Sequence, residues 1–287
     1  NLDTFNLDIN NLKKKLDIAK KKNKLPKIII TVHFAGLPSD QKDIHNLSKI
    51  YNFKIIEDAS HSFGAKHSNE IVGSCKWSHI TVFSFHPTKI ITTAEGGMAT
   101  TNNVNYANKM RMYRTNGIVK EKGLLKIKKN FSPWYYEHQA VGHNFRMNEI
   151  SASLGISQLN RAKEFIKKRN KVANYYKKIL KSLPVTVQEI KKGNLSSYHL
   201  FIIKLKLKFF KYSYKNIFQK LRNKNFFVNL HYMPLHLSPY FKKKGFKANQ
   251  FPVSENFSKM AISIPIFPNI KKNHIIKFHR LFQSFVK

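Results

Sequence analysis

A strand–helix–strand pattern near the start of the chain constrains the fold most strongly. Residues 27–32 read KIIITV, a short buried-strand run, and residues 54–56 give a second run that ends on Asp58. Between them, Asp40 is placed to cap a helix that continues to about Tyr51. Two strands joined by a helix at this spacing pair in parallel through a right-handed crossover. The pattern therefore predicts an α/β fold with a mostly parallel sheet.

A further predicted strand, residues 80–85, leads into a polar stretch that carries Ser84, His86 and Lys89. In a parallel sheet, ligands bind beyond the carboxyl ends of the strands. Lys89 and Asp58 both follow a strand in this way, and a lysine there could act as a nucleophile toward carbonyl groups. Residue type alone is a weak signal, because most lysines are surface charges and an Asp at a strand end is commonly a turn or cap residue.

The C-terminal half of the chain predicts a second, smaller α/β domain. A long helical region runs from Asn148 to about Leu183, with a break expected near Arg161. Beyond it, the strand-like runs HLFIIKLKL and FFVNLHY precede a final amphipathic helix. We divide the chain into a large domain, residues 1–165, and a small domain, residues 166–287.

Composition narrows the possible functions. The chain has 52 Lys and Arg against 15 Asp and Glu, a formal net charge of +37. Only seven of the basic residues are Arg, whereas proteins that read nucleic acids rely on the planar Arg fork, so we favour a solvated Lys-rich surface. The longest apolar runs fall far short of the ~20 residues that a membrane span needs. The single Cys75 has no disulfide partner in the chain, which favours a cytoplasmic location. From the charge pattern and the short apolar runs, we expect a protein that binds neither nucleic acid nor membranes.

Four ordered motifs carry a resemblance to a known family. They read IIEDASHSFGAKH, TVFSFHPTKIITTAEGGM, GHNFRMNEISASLGISQLNRAKEFIKKRN and NLHYMPLHLSPYFKKKGF. From about His33 to Pro268, the chain resembles the pyridoxal-phosphate-dependent sugar aminotransferases of the DegT/DnrJ/EryC1/StrS family. The resemblance implies the aspartate aminotransferase type I fold, with a large, mostly parallel sheet domain and a smaller C-terminal α/β domain. It also implies pyridoxal 5'-phosphate as the cofactor, a homodimer, and no metal.

The resemblance further implies roles for individual residues. Lys89 in FHPTK matches the lysine that binds the cofactor covalently and moves protons, and Asp58 in IIEDAS matches the carboxylate that pairs with the pyridinium nitrogen. His61 matches the position that reaches the phenolic oxygen of the ring, and Ser84 matches a phosphate-binding hydroxyl. Asn144 in GHNFR matches an asparagine that reaches the phosphate from the neighbouring subunit.

Two more histidines are candidates for substrate contact. His231 and His236 in NLHYMPLHL match a loop that approaches the sugar nucleotide in relatives, but structural roles are equally compatible with their positions. Structural alternatives also exist elsewhere: Ser84 could satisfy a backbone group, His61 could be a hydrogen-bonded core histidine, and Asn144 could belong to a turn at a helix entry. The sequence leaves both kinds of role open at these five positions.

The motifs also favour one substrate class. The strings PWYYE and FSFHPTKIITTAEGG most resemble family members that aminate a UDP-linked 4-keto-6-deoxy-N-acetylhexosamine on the route to pseudaminic acid. The resemblance implies glutamate as the amino donor and the UDP-keto sugar as the acceptor. The alternatives are another nucleotide-sugar aminotransferase, of the 4-amino-arabinose or perosamine type, and a truncated non-catalytic homologue.

The start of the chain departs from the family pattern. The sequence opens at Asn1 in the middle of a pattern, whereas the family carries a further N-terminal segment. That segment contains a small-residue turn that binds the phosphate at a helix start and an aromatic residue that stacks on the ring. We therefore expect these 287 residues to be an N-terminally truncated member that, on its own, binds the cofactor weakly, associates poorly and shows no transaminase turnover.

Overall fold

The chain forms two β-sheets, each packed against helices, and one long helix contacts both. The computed structural model describes residues 1–127 and 132–287. Its strands are β1 (Ile28–Val32), β2 (Lys54–Asp58), β3 (Lys66–His67), β4 (Glu70–Ile71), β5 (Ile80–Ser84), β6 (Gly97–Thr100), β7 (Ile118–Val119), β8 (Glu137–His138), β9 (Val185–Val187), β10 (Phe201–Leu205) and β11 (Ala261–Ile264). Its helices are α1 (Ile9–Lys21), α2 (Gln41–Tyr51), α3 (Val104–Arg114), α4 (Glu149–Leu180), α5 (Tyr214–Asn223), α6 (Pro239–Lys243), α7 (Pro252–Ser258) and α8 (Lys272–Gln283).

The first half of the chain builds a four-stranded sheet in the order β1-β2-β5-β6. Strands β1, β2 and β5 run parallel, and β6 is antiparallel to β5. The register places Val32, Asp58 and Val82 side by side, one on each parallel strand. The predicted parallel sheet is therefore confirmed, and the carboxyl ends of β1, β2 and β5 lie along one edge, where a site is expected.

One face of this sheet is covered by helices. Side chains alternate between the two faces of a strand, and on the covered face Ile29 and Ile55 pack with apolar residues of α1 and α2. On the same face Phe83 joins a second cluster, together with Ala162 and Ile166 of α4. Burial of these residues supplies the hydrophobic energy that holds the sheet to its helices.

The opposite face of the sheet is apolar and exposed. On β1, Ile28, Ile30 and Val32 are 51%, 63% and 47% exposed, and on β5, Val82 is 38% exposed. None of the described helices shields these side chains from solvent. A contiguous apolar face of this kind is typical of a surface that another segment or another chain covers.

The second half of the chain builds an antiparallel sheet in the order β11-β10-β9. Its core contains fully buried residues of β10, α5 and α8, among them Ile203, Ile217 and Phe278. The prediction of a strand at FFVNLHY is wrong, since this segment contributes only an isolated bridge between Asn229 and Ser263. The smaller α/β domain is otherwise present as expected.

Helix α4 is continuous, so the predicted break near Arg161 is wrong. The side chain of Asn148 caps the helix, and in mid-helix the Arg161 guanidinium lies 5.5 Å from the Phe165 ring centroid, one turn further along. Ile166 packs with the first sheet and Val172 with the second, so the helix passes from one core to the other. The division into residues 1–165 and 166–287 stays a prediction.

Within the described ranges, the structure contains no helix with the length and apolar character that a bilayer crossing requires.

The difference between the two sheet faces is testable with a matched pair of substitutions. Ile30 is 63% exposed, whereas Ile55 is fully buried on the opposite face. We expect Ile30→Asn to change the free energy of unfolding by less than about 0.5 kcal/mol. Ile55→Asn should lower it by about 2 kcal/mol or more, because an amide is buried without partners. Urea unfolding of residues 1–287, followed by circular dichroism, measures both, and equal losses would contradict the assignment of an uncovered face.

Candidate active site

Lys89 and Asp58 follow two neighbouring strands at their carboxyl ends. Asp58 is the last residue of β2, and Lys89 lies in the turn after β5, where its amide N–H donates to the carbonyl of His86 at 2.9 Å. Both side chains are partly buried. Burial lowers the pKa of the Lys89 amine, and the negative charge of Asp58 opposes that shift. The two residues are thus close enough to interact electrostatically.

The Asp58 carboxylate is held in place by its own loop. Its Oδ1 atom accepts hydrogen bonds from the backbone N–H and the hydroxyl of Ser60, at 3.1 and 2.5 Å. Such short-range bonds from the second residue after an Asp are typical of turns at strand ends. Among the described residues, no donor contacts Oδ2, so this oxygen can accept a proton donor from a bound molecule.

The preceding residue, Glu57, points to the opposite face of β2 and is buried. Its Oε2 atom lies 3.2 Å from Nε2 of His33 and accepts a hydrogen bond from the Thr81 hydroxyl at 3.1 Å. His33 Nδ1 accepts from the amide of Ser39, so its proton is on Nε2 and is donated to Glu57. Burial alone would raise the pKa of Glu57, but the hydrogen bond from His33 holds it below its usual value.

A cluster of rings closes over this edge of the sheet. His61 and His199 have ring centroids 4.3 Å apart, and His61 Nε2 lies 3.4 Å from the Tyr232 hydroxyl. Burial, assisted by the charge of Lys89, lowers the pKa of His61 to about 4. Burial also lowers the pKa of His199 to about 2. Both imidazoles are therefore uncharged at neutral pH.

The two histidines predicted for substrate contact have different surroundings. His231 Nδ1 is 2.8 Å from the Ser263 hydroxyl. Burial, and to a smaller extent the charge of Lys89, lowers the pKa of His231, as it does for His61 and His199. His236 is buried, and its Nε2 lies 2.8 Å from the Glu255 carboxylate. The structure thus places His231 within electrostatic reach of Lys89 and places His236 in a buried hydrogen bond with Glu255.

Ser84 and Asn144 complete the set of predicted residues. Ser84 ends β5 and is partly exposed; its oxygen accepts a 3.4 Å hydrogen bond from the His86 amide, which leaves its hydroxyl hydrogen available. Asn144 is exposed, and its side chain accepts a hydrogen bond from Arg146 at 3.0 Å. Within the part of the chain that the structure describes, no contact joins Asn144 to Lys89. A role for Asn144 across a dimer therefore stays a prediction.

Three members of the ring cluster were not singled out by the sequence analysis: Phe34, His199 and Tyr232. The Phe34 ring lies 6.2 Å from His61 and 6.4 Å from Tyr232, centroid to centroid. These residues come from three distant segments, so no local pattern relates them. For His199, a signal was present in the sequence, because a histidine directly precedes the apolar run of β10.

The arrangement supports a definite kind of chemistry. It groups an amine with a lowered pKa, a carboxylate with one free oxygen, and uncharged imidazoles. Amines with lowered pKa attack carbonyl groups and, in their neutral form, accept protons. The site is therefore equipped for carbonyl and proton-transfer chemistry.

Comparisons with known proteins agree with this chemistry. The chain is 34% identical over 252 residues to the uncharacterized protein MJ1066 of Methanocaldococcus jannaschii, covering 87% of this chain and 64% of that protein. It is 33% identical over 252 residues to the UDP-4-amino-4,6-dideoxy-N-acetyl-beta-L-altrosamine transaminase of Campylobacter jejuni, covering 87% of this chain and 63% of that protein. The chain therefore spans less than two thirds of the length of these curated relatives.

A solved structure and a family profile extend the likeness along the chain. The structure of Helicobacter pylori PseC, an aminotransferase involved in the biosynthesis of pseudoaminic acid, matches with a TM-score of 0.86 at 30% identity. That match covers 98% of this chain and 71% of the PseC chain. The family profile matches residues 1–280. The chain belongs to the DegT/DnrJ/EryC1/StrS aminotransferase family.

Proposed function

We propose that this chain transfers an amino group from glutamate to a UDP-linked 4-keto-6-deoxy-N-acetylhexosamine, with pyridoxal 5'-phosphate as the cofactor. The observation that carries the proposal is the placement of Asp58 and Lys89 after the neighbouring strands β2 and β5, where the charge of Asp58 acts on the Lys89 amine. The likeness to the Campylobacter jejuni transaminase supports the choice of sugar. The proposal includes a cytoplasmic homodimer.

The residues present fit the cofactor. The free Oδ2 of Asp58 suits a protonated pyridine nitrogen, because a carboxylate favours the charged form of a neighbouring ring nitrogen. The partly buried Lys89 amine suits the aldehyde, and the Ser84 hydroxyl suits a phosphate oxygen. In residues 1–127 and 132–287, the buried Nδ1 of His61 has no hydrogen-bond partner, so it retains hydrogen-bonding capacity for the ring.

Each residue then has a separate task. When bound, pyridoxal phosphate supplies an electron sink for proton removal at the carbon that bears the amino group. Asp58 holds a proton at the ring nitrogen. Lys89 Nζ, whose pKa is lowered by burial, moves the proton to and from the substrate carbon. His61, uncharged at neutral pH, orients the ring without competing for the Asp58 charge.

The acceptor also suits the charge of the chain. A UDP-linked sugar carries a diphosphate, and a net charge of +37 attracts anions from solution in a salt-dependent manner. His231 lies on the loop beside Lys89, where a keto sugar would enter. We therefore place the acceptor between Lys89 and the loop that carries His231.

Lys89→Ala tests the central assignment. The experiment uses two proteins: residues 1–287 alone, and a fusion of these residues with the part of the Helicobacter pylori relative that lies outside the matched region. The fusion is included because the exposed apolar face of the first sheet offers a surface on which an added segment can pack. In the fusion, Lys89→Ala should abolish the visible absorbance band of the bound cofactor and lower glutamate-dependent amination by at least ~100-fold. Lys168→Ala, which removes an exposed amine paired with Glu164, is the control and should change neither.

The same experiment, run with two acceptor sugars, also tests which nucleotide sugar the enzyme aminates. Amination is measured with UDP-4-keto-6-deoxy-N-acetylhexosamine and with a GDP-linked 4-keto-6-deoxy sugar. A preference for the GDP-linked sugar would favour the perosamine type. An unchanged absorbance band in Lys89→Ala would overturn the assignment of the lysine, and a fusion inactive with both sugars would favour a non-catalytic homologue.

Asp58→Asn separates cofactor binding from turnover. The amide keeps the shape of the side chain but lacks the negative charge that holds the proton on the ring nitrogen. We expect cofactor binding to persist and turnover to fall on the order of 100-fold. Asp40→Asn, at an Asp that pairs with Lys191, is the matched control. Near-normal turnover of Asp58→Asn would exclude Asp58 as the partner of the ring nitrogen.

Asn144 is tested by mixing two inactive chains. If Asn144 completes the phosphate site of the opposite subunit, a heterodimer of Lys89→Ala and Asn144→Ala chains has one intact site, formed by Lys89 of one chain and Asn144 of the other. Such a heterodimer should recover roughly half of the activity of the unmodified dimer. The heterodimer is isolated with two affinity tags, and no recovery in it would argue against the contact across subunits.

A further inference from the structure

His199 makes an unusual contact with the site. Its ring centroid lies 4.3 Å from that of His61, with the planes inclined by 44°. Both residues are 8% exposed, and the Nδ1 atom of each is buried without a partner among the described residues. Two buried polar rings in direct contact are costly unless the arrangement serves another purpose, because unsatisfied polar atoms in an interior are destabilising.

The backbone that carries His199 is fixed against the large domain. The Ser197 hydroxyl donates to the carbonyl of His61 at 2.9 Å, and the Ser197 amide donates to the carbonyl of Gly36 at 3.0 Å. Gly36 has φ +101°, and a Cβ there would lie 2.9 Å from the His199 amide nitrogen and 2.7 Å from the Ser197 hydroxyl. The segment therefore has little freedom to shift, and the His199 ring is held over His61.

The charges around the pair favour two neutral rings. Lys89 from the turn after β5, Arg169 from α4 and His231 from its loop all disfavour a charge on His199. Around His61, Lys89 and His231 act in the same direction, and only Asp58 opposes them. The rings of Phe34 and Tyr232, which carry no charge at neutral pH, also lie beside His61.

We propose that His199 is a positioning residue: its ring, supplied by the second half of the chain, shields His61 from water and holds the His61 ring against Tyr232. His61 then presents one fixed hydrogen-bonding edge to the cofactor, and small-domain packing determines that orientation. The role of His61 toward the cofactor rests on the proposed function. The contact between the two rings does not.

The titration of His61 in the cofactor-free chain tests this proposal directly. Histidine-labelled residues 1–287 are followed by NMR from pH 8 to pH 4.5, with the His61 signal assigned through His61→Gln. In the unmodified chain His61 should stay uncharged over most of this range. In His199→Ala, water reaches His61, and its pKa should rise by about one pH unit or more toward 6.5. In His199→Phe, a ring still covers His61, and the pKa should stay low.

A control of the same residue type separates this effect from general loss of packing. His67 is also 8% exposed, and its Nε2 atom accepts a hydrogen bond from the Lys42 amide in the first turn of α2. His67→Ala should leave the His61 titration unchanged. If His199→Ala does not fold, His199→Val replaces it, with a pKa rise in the same direction. An unchanged His61 pKa in a folded His199 variant, or an equal rise in His67→Ala, would overturn the proposal.

The result is independent of whether the chain is a transaminase. Because the NMR experiment uses no cofactor or substrate, its failure would remove His199 from the site without affecting the assignment of Lys89. In the fusion, His199→Ala should also alter the pH dependence of the cofactor absorbance band, whereas His67→Ala should not. Failure of the fusion to bind the cofactor at all would contradict the proposed function and leave the NMR result intact.

Discussion

The site depends on the hydrogen bonds that the buried carboxylate of Glu57 makes to two neighbouring strands. Glu57 accepts hydrogen bonds from His33 at the end of β1 and from Thr81 of β5, so one side chain ties all three parallel strands together. A buried carboxylate is tolerated only with such partners, which restricts the strands to the observed register. Since side chains alternate along β2, fixing Glu57 on the covered face places Asp58 on the other face, at the edge where Lys89 lies.

The seam between the two sheets creates the environment of the site. Asp58, His61 and Lys89 belong to the first half of the chain, whereas His199, His231 and Tyr232 come from the second. Helix α4 passes from one core to the other without a break, so the two halves are joined by a rigid element as well as by side-chain contacts. Burial of the histidines, and hence their low pKa values, results from this packing of one half on the other.

The sequence predicted the parts of the structure that depend on local patterns. Strands β1, β2 and β5 have the apolar runs and spacing of a parallel sheet, and motifs located Lys89 and Asp58. The break in α4 and the strand at FFVNLHY were wrong, because tertiary packing rather than local propensity decides the state of those segments. His199 and Phe34 were missed because their importance arises from contacts between residues far apart in the chain. The buried pair of His236 with Glu255 likewise could not be inferred from spacing.

Three histidines can lie near Lys89 because their imidazoles are uncharged at neutral pH. If the imidazoles of His61, His199 and His231 were protonated, each would repel the Lys89 ammonium and compete for Asp58. Burial lowers all three pKa values, so at neutral pH the Asp58 charge is shared only with Lys89 and with whatever cation binds at Oδ2. A protonated ring nitrogen beside Asp58 would reduce the support that the carboxylate gives to the Lys89 ammonium. Under the proposed function, this change would favour the neutral form of the Lys89 amine when it is free to move a proton.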